Sequence, residues 1–154
     1  MTKPAVRFLN FVKKIILILA VFLLFSGCST NRQVIFHTQN GDYKISVEIA
    51  DTDAAIQKGL MGREKLESDK GMLFIFKEDA LRAFWMKNVL IPLDIIFISA
   101  DKRVINIVEN APLCKKDPCE NYLSKEPAKY VIEIAGGGSA AHGIQSGDAV
   151  EINP

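Results

Sequence analysis

In the two runs on either side of residue 40, polar and apolar positions alternate with a period of two. Residues 33–37 and 43–50 flank Gln39-Asn40-Gly41-Asp42, and Asn-Gly between two such runs predicts a β-hairpin. In the second run Tyr43, Ile45, Val47 and Ile49 share a face, which leaves Lys44, Ser46 and Glu48 for solvent. The period then changes. Asp51-Thr52-Asp53 offers capping side chains, and Ala54, Ala55, Ile56, Lys58, Leu60 and Met61 predict one short helix ending near Gly59 or Gly62. Beyond the polar stretch 64–70, strand-like runs follow at 71–76, 83–87, 93–99, 103–109, 130–135 and 149–152. Turn signals separate them at Ile91-Pro92, Ala100-Asp101-Lys102 and Ser146-Gly147-Asp148. About eight short strands with one helix predict a mainly β domain, a compact β-sandwich or distorted barrel. Gly136-Gly137-Gly138 reads as a flexible turn. Residues 110–129 are long for a structureless connection, so a functional or pinned loop is expected there.

The amino-terminal end breaks this pattern. Lys3, Arg7, Lys13 and Lys14 stand there without an acidic residue, and residues 15–25 carry no charged or polar side chain. That is the charged and then apolar layout of an export signal. The run falls short of the roughly 20 apolar residues that a spanning helix needs, so cleavage is expected and not permanent insertion. Phe25-Ser26-Gly27-Cys28 resembles the lipobox of lipoprotein precursors, with Phe25 where leucine is usual. Residues 1–27 are therefore read as a lipoprotein signal peptide, 28–32 as a lipidated tether and 33–154 as a single β-rich domain. Cys28 would carry diacylglyceryl and N-acyl chains such as palmitate, a stable anchor because several chains hold where one is marginal. The alternative is a buried thiol at the end of an uncleaved anchor. Either way the domain faces the cell envelope or periplasm, and Ser29 after the cysteine favours the outer membrane where the organism has one.

All eighteen acidic residues lie beyond residue 27, together with fifteen of the nineteen basic ones, so the mature chain carries a net charge of −3. Its bases are interspersed with acids and form no stripe with aromatics, which argues against a nucleic-acid partner. Cys114 and Cys119 stand in Cys-Lys-Lys-Asp-Pro-Cys. In an oxidising compartment they are expected to form a structural disulfide that pins one loop. The alternative, a redox pair, usually has two intervening residues ahead of a helix. His37 and His142 fall in no metal-binding spacing, and no metal or other cofactor is expected.

Five ordered blocks then carry a family resemblance. They are Gly59-Leu60-Met61-Gly62-Arg63, Gly71-Met72-Leu73-Phe74-Ile75-Phe76, Phe84-Trp85-Met86-Lys87-Asn88, Ile91-Pro92-Leu93-Asp94-Ile95-Ile96-Phe97 and Gly143-Ile144-Gln145-Ser146-Gly147-Asp148. Together they resemble the domain-of-unknown-function family one hundred and ninety-two over nearly all of the mature chain. The resemblance implies a mainly β, often exported domain and brings no reaction or catalytic residues. Val89 stands where relatives commonly have Thr, and Gly62 where they often have an aromatic residue. If either side chain touches a ligand in relatives, that contact is missing here.

Candidate chemistry centres on Trp85, Lys87 and Asn88. A strand through them would put Phe84 and Met86 on one face and Trp85 with Lys87 on the other, as a platform for a polar ligand. Trp85 in the core with Lys87 reaching past it to water is the plainer alternative. Asp94 interrupts an apolar run, where an unpaired carboxylate is costly, so a partner is expected, Arg63 being one candidate. Glu133 interrupts another such run; it either faces solvent or joins a site. Ser139, His142 and Asp148 would make a triad only if folding aligned them. The leading expectation is a non-catalytic envelope module that binds a polar envelope component or a partner protein. The alternatives are a hydrolase of envelope glycan or peptide, with Asp94 and Glu133 dividing acid and base roles, and a purely structural lipoprotein.

Overall fold

The computed structural model describes residues 32–154; the export signal, Cys28 and most of the tether lie outside the described residues. The first hairpin forms as the alternation predicts. β1 (Gln33–Thr38) pairs antiparallel with β2 (Gly41–Ala50), from Gln33 opposite Ser46 to Thr38 opposite Gly41. Gln39 and Asn40 make the turn, and the Thr38 hydroxyl closes it by donating to the Gly41 carbonyl at 2.8 Å.

α1 (Asp53–Lys58) follows, with the Thr52 side chain accepting from the Ala55 N–H at 3.3 Å and Gly59 at its end. It is shorter than the apolar spacing suggested. Gly59 turns the chain at φ 45°, so Leu60 reaches the core from the loop instead of the helix. This crossover brings β3 (Lys70–Ala80) parallel to β2. β4 (Ala83–Trp85), β5 (Leu93–Ile98), β6 (Val104–Ala111), β7 (Asn121–Leu123), β8 (Ala128–Ala135), α2 (Gly138–His142) and β9 (Ala149–Asn153) complete the order.

Seven strands form one sheet in the order β6-β5-β8-β3-β2-β1-β9, and β4 pairs with β7 in a second, small sheet. The large sheet curls until its edges meet. Arg103 bridges Ala149, and Val104 N–H donates to the Asp148 carbonyl at 3.0 Å. Alternate residues then serve two cores. Val34, Phe36, Ile45, Val47, Leu73, Ile96, Ile132 and Ile134 fill the inside of the curl. Phe74, Leu93, Ile95, Phe97 and Val131 point outward and are roofed by Leu60, Leu66, Met86 and Val89. Phe84 fixes the small sheet to this outer core, edge-on to Phe74, Phe76 and Phe97.

The 110–129 connection is less irregular than expected. It contains β7, and Cys114 and Cys119 are bridged with 5.5 Å between their Cα atoms. β7 escapes pattern reading because three residues in the sequence Asn-Tyr-Leu show too little alternation.

The glycine run, read as a flexible turn, is closely packed at Gly136 and Gly138 and opens the second helix. Gly136 lies so close to Asn110 and Pro92 that a Cβ there would stand 2.5 Å from Asn110 Oδ1. Asp94 then gathers the segment. Its carboxylate accepts from the N–H groups of Asn110 at 2.7 Å, Gly137 at 2.8 Å and Ser139 at 2.7 Å. Three such bonds satisfy a buried carboxylate without a cation.

Candidate functional site

β8 is a central strand, hydrogen-bonded along both edges by β3 and β5, and its two faces meet the two cores. Ile132 and Ile134 enter the inner core and Val131 the outer one. Glu133 must follow Val131. It lies in one row with Met72 on β3 and Ile95 on β5, and only 3% of its surface is exposed. Solvent exposure, the simpler expectation for this residue, is thereby excluded.

Above Glu133 the outer face opens into a cleft of about 330 Å3. One wall is the end of α1 and the loop after it, with Ile56, Lys58, Gly59, Leu60 and Met61. The other is the segment Leu81, Arg82, Ala83, Phe84 and Trp85; Phe74 and Phe76 of β3 lie between them, and Val89 also contributes. The walls meet where the Gly62 N–H donates to the Asn88 carbonyl at 2.9 Å. Gly59 is needed at its place. Besides its positive φ, a Cβ there would stand 3.3 Å from Phe74 Cζ and 3.8 Å from Glu133 Oε2.

Within this mostly apolar cleft Glu133 Oε2 has no hydrogen-bond partner among the described residues. Burial without a compensating charge disfavours the carboxylate and pushes the Glu133 pKa from 4.5 to about 8. At neutral pH the group is chiefly a neutral acid and so a hydrogen-bond donor. Arg82 is anchored differently. Its Nε donates to the Ala128 carbonyl at 3.1 Å and its Nη2 to that of Glu78, while the guanidinium carbon sits 3.9 Å from the Phe76 ring centre. Burial lowers its pKa from 12.5, yet a guanidinium stays charged across the physiological range.

Of the other expected site residues only Trp85 lines this cleft; Arg63, Lys87, Asn88 and Asp94 are not part of its lining and do other work. Trp85 is 43% exposed at the cleft edge and therefore is not core. Lys87 lies 5.7 Å from its ring centre and 3.6 Å from Asp117. Asn88 holds the turn after β4, at φ 57°, a left-handed conformation that Asn tolerates. Arg63 does not pair with Asp94. It grips Glu48 through both guanidinium nitrogens, at 2.7 and 2.8 Å, on the outer face of the sheet. Asp94 and Glu133 do not form a carboxylate pair: Asp94 shares the inner face with Ile134, whereas Glu133 lies on the outer one. The sheet itself stands between them, so they cannot act as acid and base on one bond.

Ser139, His142 and Asp148 form no triad either. The Ser139 hydroxyl is buried without a partner, the His142 ring stacks on Tyr43 at 3.6 Å, and Asp148 accepts from the Gln145 N–H. Arg82, Leu81 and Phe76 were not legible as site residues. Phe76 lies within the long strand β3 and Leu81 and Arg82 in the turn after it, and nothing in their local pattern marks a cleft.

A curled antiparallel-rich sheet with a small second sheet roofing a cleft defines the structural class. The chain belongs to the family DUF192, described as Uncharacterized ACR, whose model matches residues 35–152. Two solved structures share the fold. A protein of unknown function from Novosphingobium aromaticivorans DSM 12444 is 39% identical with a TM-score of 0.73, over 77% of this chain and 83% of that one. A candidate transcription regulator from Sinorhizobium meliloti 1021 is 34% identical with a TM-score of 0.73, over 79% of this chain and 92% of that one. No curated protein matches the chain.

Proposed function

We propose that this protein is an envelope lipoprotein whose β domain is a non-catalytic binding module, with the cleft above Glu133 as its binding site. One observation carries this reading: a mostly apolar cleft ends on a buried carboxyl that has no partner of its own. An unmade buried hydrogen bond costs about 1–3 kcal/mol, and a ligand that completes it recovers that energy. Convergence of a few polar groups, here Gln57, Lys58, Arg82 and Glu133, with apolar and aromatic walls is the usual composition of a small-molecule site. A hydrolytic role is less well supported, because the other ionisable groups of the cleft are Lys58 and Arg82 and neither is a carboxylate.

The address comes from residues 1–28. Cys28 tethers the domain to the membrane, so the ligand is a component of the envelope, presented free or by a partner protein. Trp85 is the sole tryptophan of the chain and stands at the cleft edge, which makes its emission the natural reporter. Full-length protein in lipid nanodiscs is titrated with peptidoglycan fragments, envelope glycans and phospholipid headgroups. A saturable change that Glu133→Leu abolishes is expected; turnover of any of these compounds would refute the binding role. Cys28→Ala is expected to block acylation and processing, and normal processing of that variant would overturn the address.

A further inference from the structure

The charges around the cleft constrain what it holds. Lys58, at the end of α1, and Arg82, ahead of β4, are the cations of its lining, Gln57 adds a neutral amide, and Glu133 supplies its carboxyl; the carboxylates that act on Arg82, Glu78 and Asp79, stand outside the lining. The next carboxylate in the same row of the sheet, Glu48 on β2, is neutralised by Arg63. From β3 and β5 the groups beside Glu133 are Met72 and Ile95, both apolar. An organic cation entering the cleft would meet two positive groups and a carboxyl that must first lose its proton. A ligand oxygen would meet the same cations favourably and find a donor at the floor.

We infer that the cleft takes an apolar ligand bearing a hydrogen-bond-accepting carbonyl or carboxylate oxygen, to which the Glu133 carboxyl donates, and that it discriminates against ammonium groups. This rests on the cleft being the binding site. The apolar part lies against Phe74, Phe84 and Leu60, and the acceptor reaches Glu133. Such a contact has a signature in pH, because the donor is lost when Glu133 ionises near pH 8.

The test compares phenylacetamide with phenethylammonium, two probes of similar shape, on full-length protein in nanodiscs, by Trp85 emission and ligand-observed NMR. The amide is expected to bind at least tenfold more tightly than the ammonium, and to weaken severalfold between pH 7 and pH 9. Glutamine keeps an N–H donor without ionising, so in Glu133→Gln the amide's affinity should no longer depend on pH in that range. Glu133→Leu, which suits an apolar cleft and folds if glutamine does not, should weaken the amide at least tenfold. Preference for the ammonium, with binding lost in Glu133→Gln, would overturn the ligand class while leaving the site in place. Amide binding insensitive to both pH and Glu133→Leu would also overturn it. Failure of both probes to bind would count against the cleft as a site altogether.

Discussion

Glu133→Gln keeps the shape of the buried side chain and removes its ionisation, so it isolates one electrostatic contribution to stability. In the folded chain the carboxyl holds its proton up to about pH 8, against an ordinary value of 4.5. Folding therefore takes up a proton between those two values. The stability this group contributes is fully present below about pH 4.5, is lost progressively as pH rises toward 8, and levels off above it. The slope within that window is about 1.4 kcal/mol per pH unit. Wild-type protein should thus lose about 4 kcal/mol, relative to the glutamine variant, between pH 5 and pH 8. For a domain of this size that corresponds to about 10 °C or more in Tm. Thermal and urea unfolding of both proteins, followed by circular dichroism at half-unit pH steps, measures the difference directly. All other groups are common to both proteins and cancel. Parallel profiles for the two proteins would refute the reasoning and show that Glu133 is solvated or paired in solution.

Three further outcomes follow from the packing. Asp94→Ala strips the acceptor from three backbone N–H groups and should cost about 3 kcal/mol or more in urea unfolding, with faster hydrogen exchange at Gly137 and Ser139. Gly59→Ala forces a side chain into a strained backbone and against Phe74; a loss of about 1–3 kcal/mol is expected, together with weaker binding of any cleft ligand. Replacing Cys114 and Cys119 by serine opens a bridge that closes a short loop and should lower stability by about 2 kcal/mol while leaving the near-ultraviolet signal of the cores unchanged.

Much of this fold was legible from local pattern. Alternating runs and apolar runs bounded by turn signals located eight of the strands, and Asn40-Gly41 located the first hairpin, because these signals arise from residues adjacent in the chain. The 39-to-42 turn needs no distant partner. The parallel pairing of β2 with β3 was not legible, since it depends on α1 and its loop returning the chain to the same edge. β7 was missed for a related reason: its three residues become a strand only by finding β4.

The site divided along the same line. Asp94 and Glu133 stood out as charges in apolar runs; sequence alone asked for a partner for Asp94 and left Glu133 either facing solvent or joining a site. Which solution each took was a tertiary matter. Asp94 found backbone donors from Asn110, Gly137 and Ser139, all remote from it in the chain, so Arg63 was free for Glu48. Glu133 found none and keeps its proton instead. Trp85 could be read as core or surface until the β4–β7 sheet set it at the rim. Alternation assigns residues to two faces of a strand, but only the assembled sheet decides which face is covered and by what. Desolvation and hydrogen-bond completion depend on that covering, and they are what turned one of two similar carboxyls into a structural clasp and the other into the floor of a cleft.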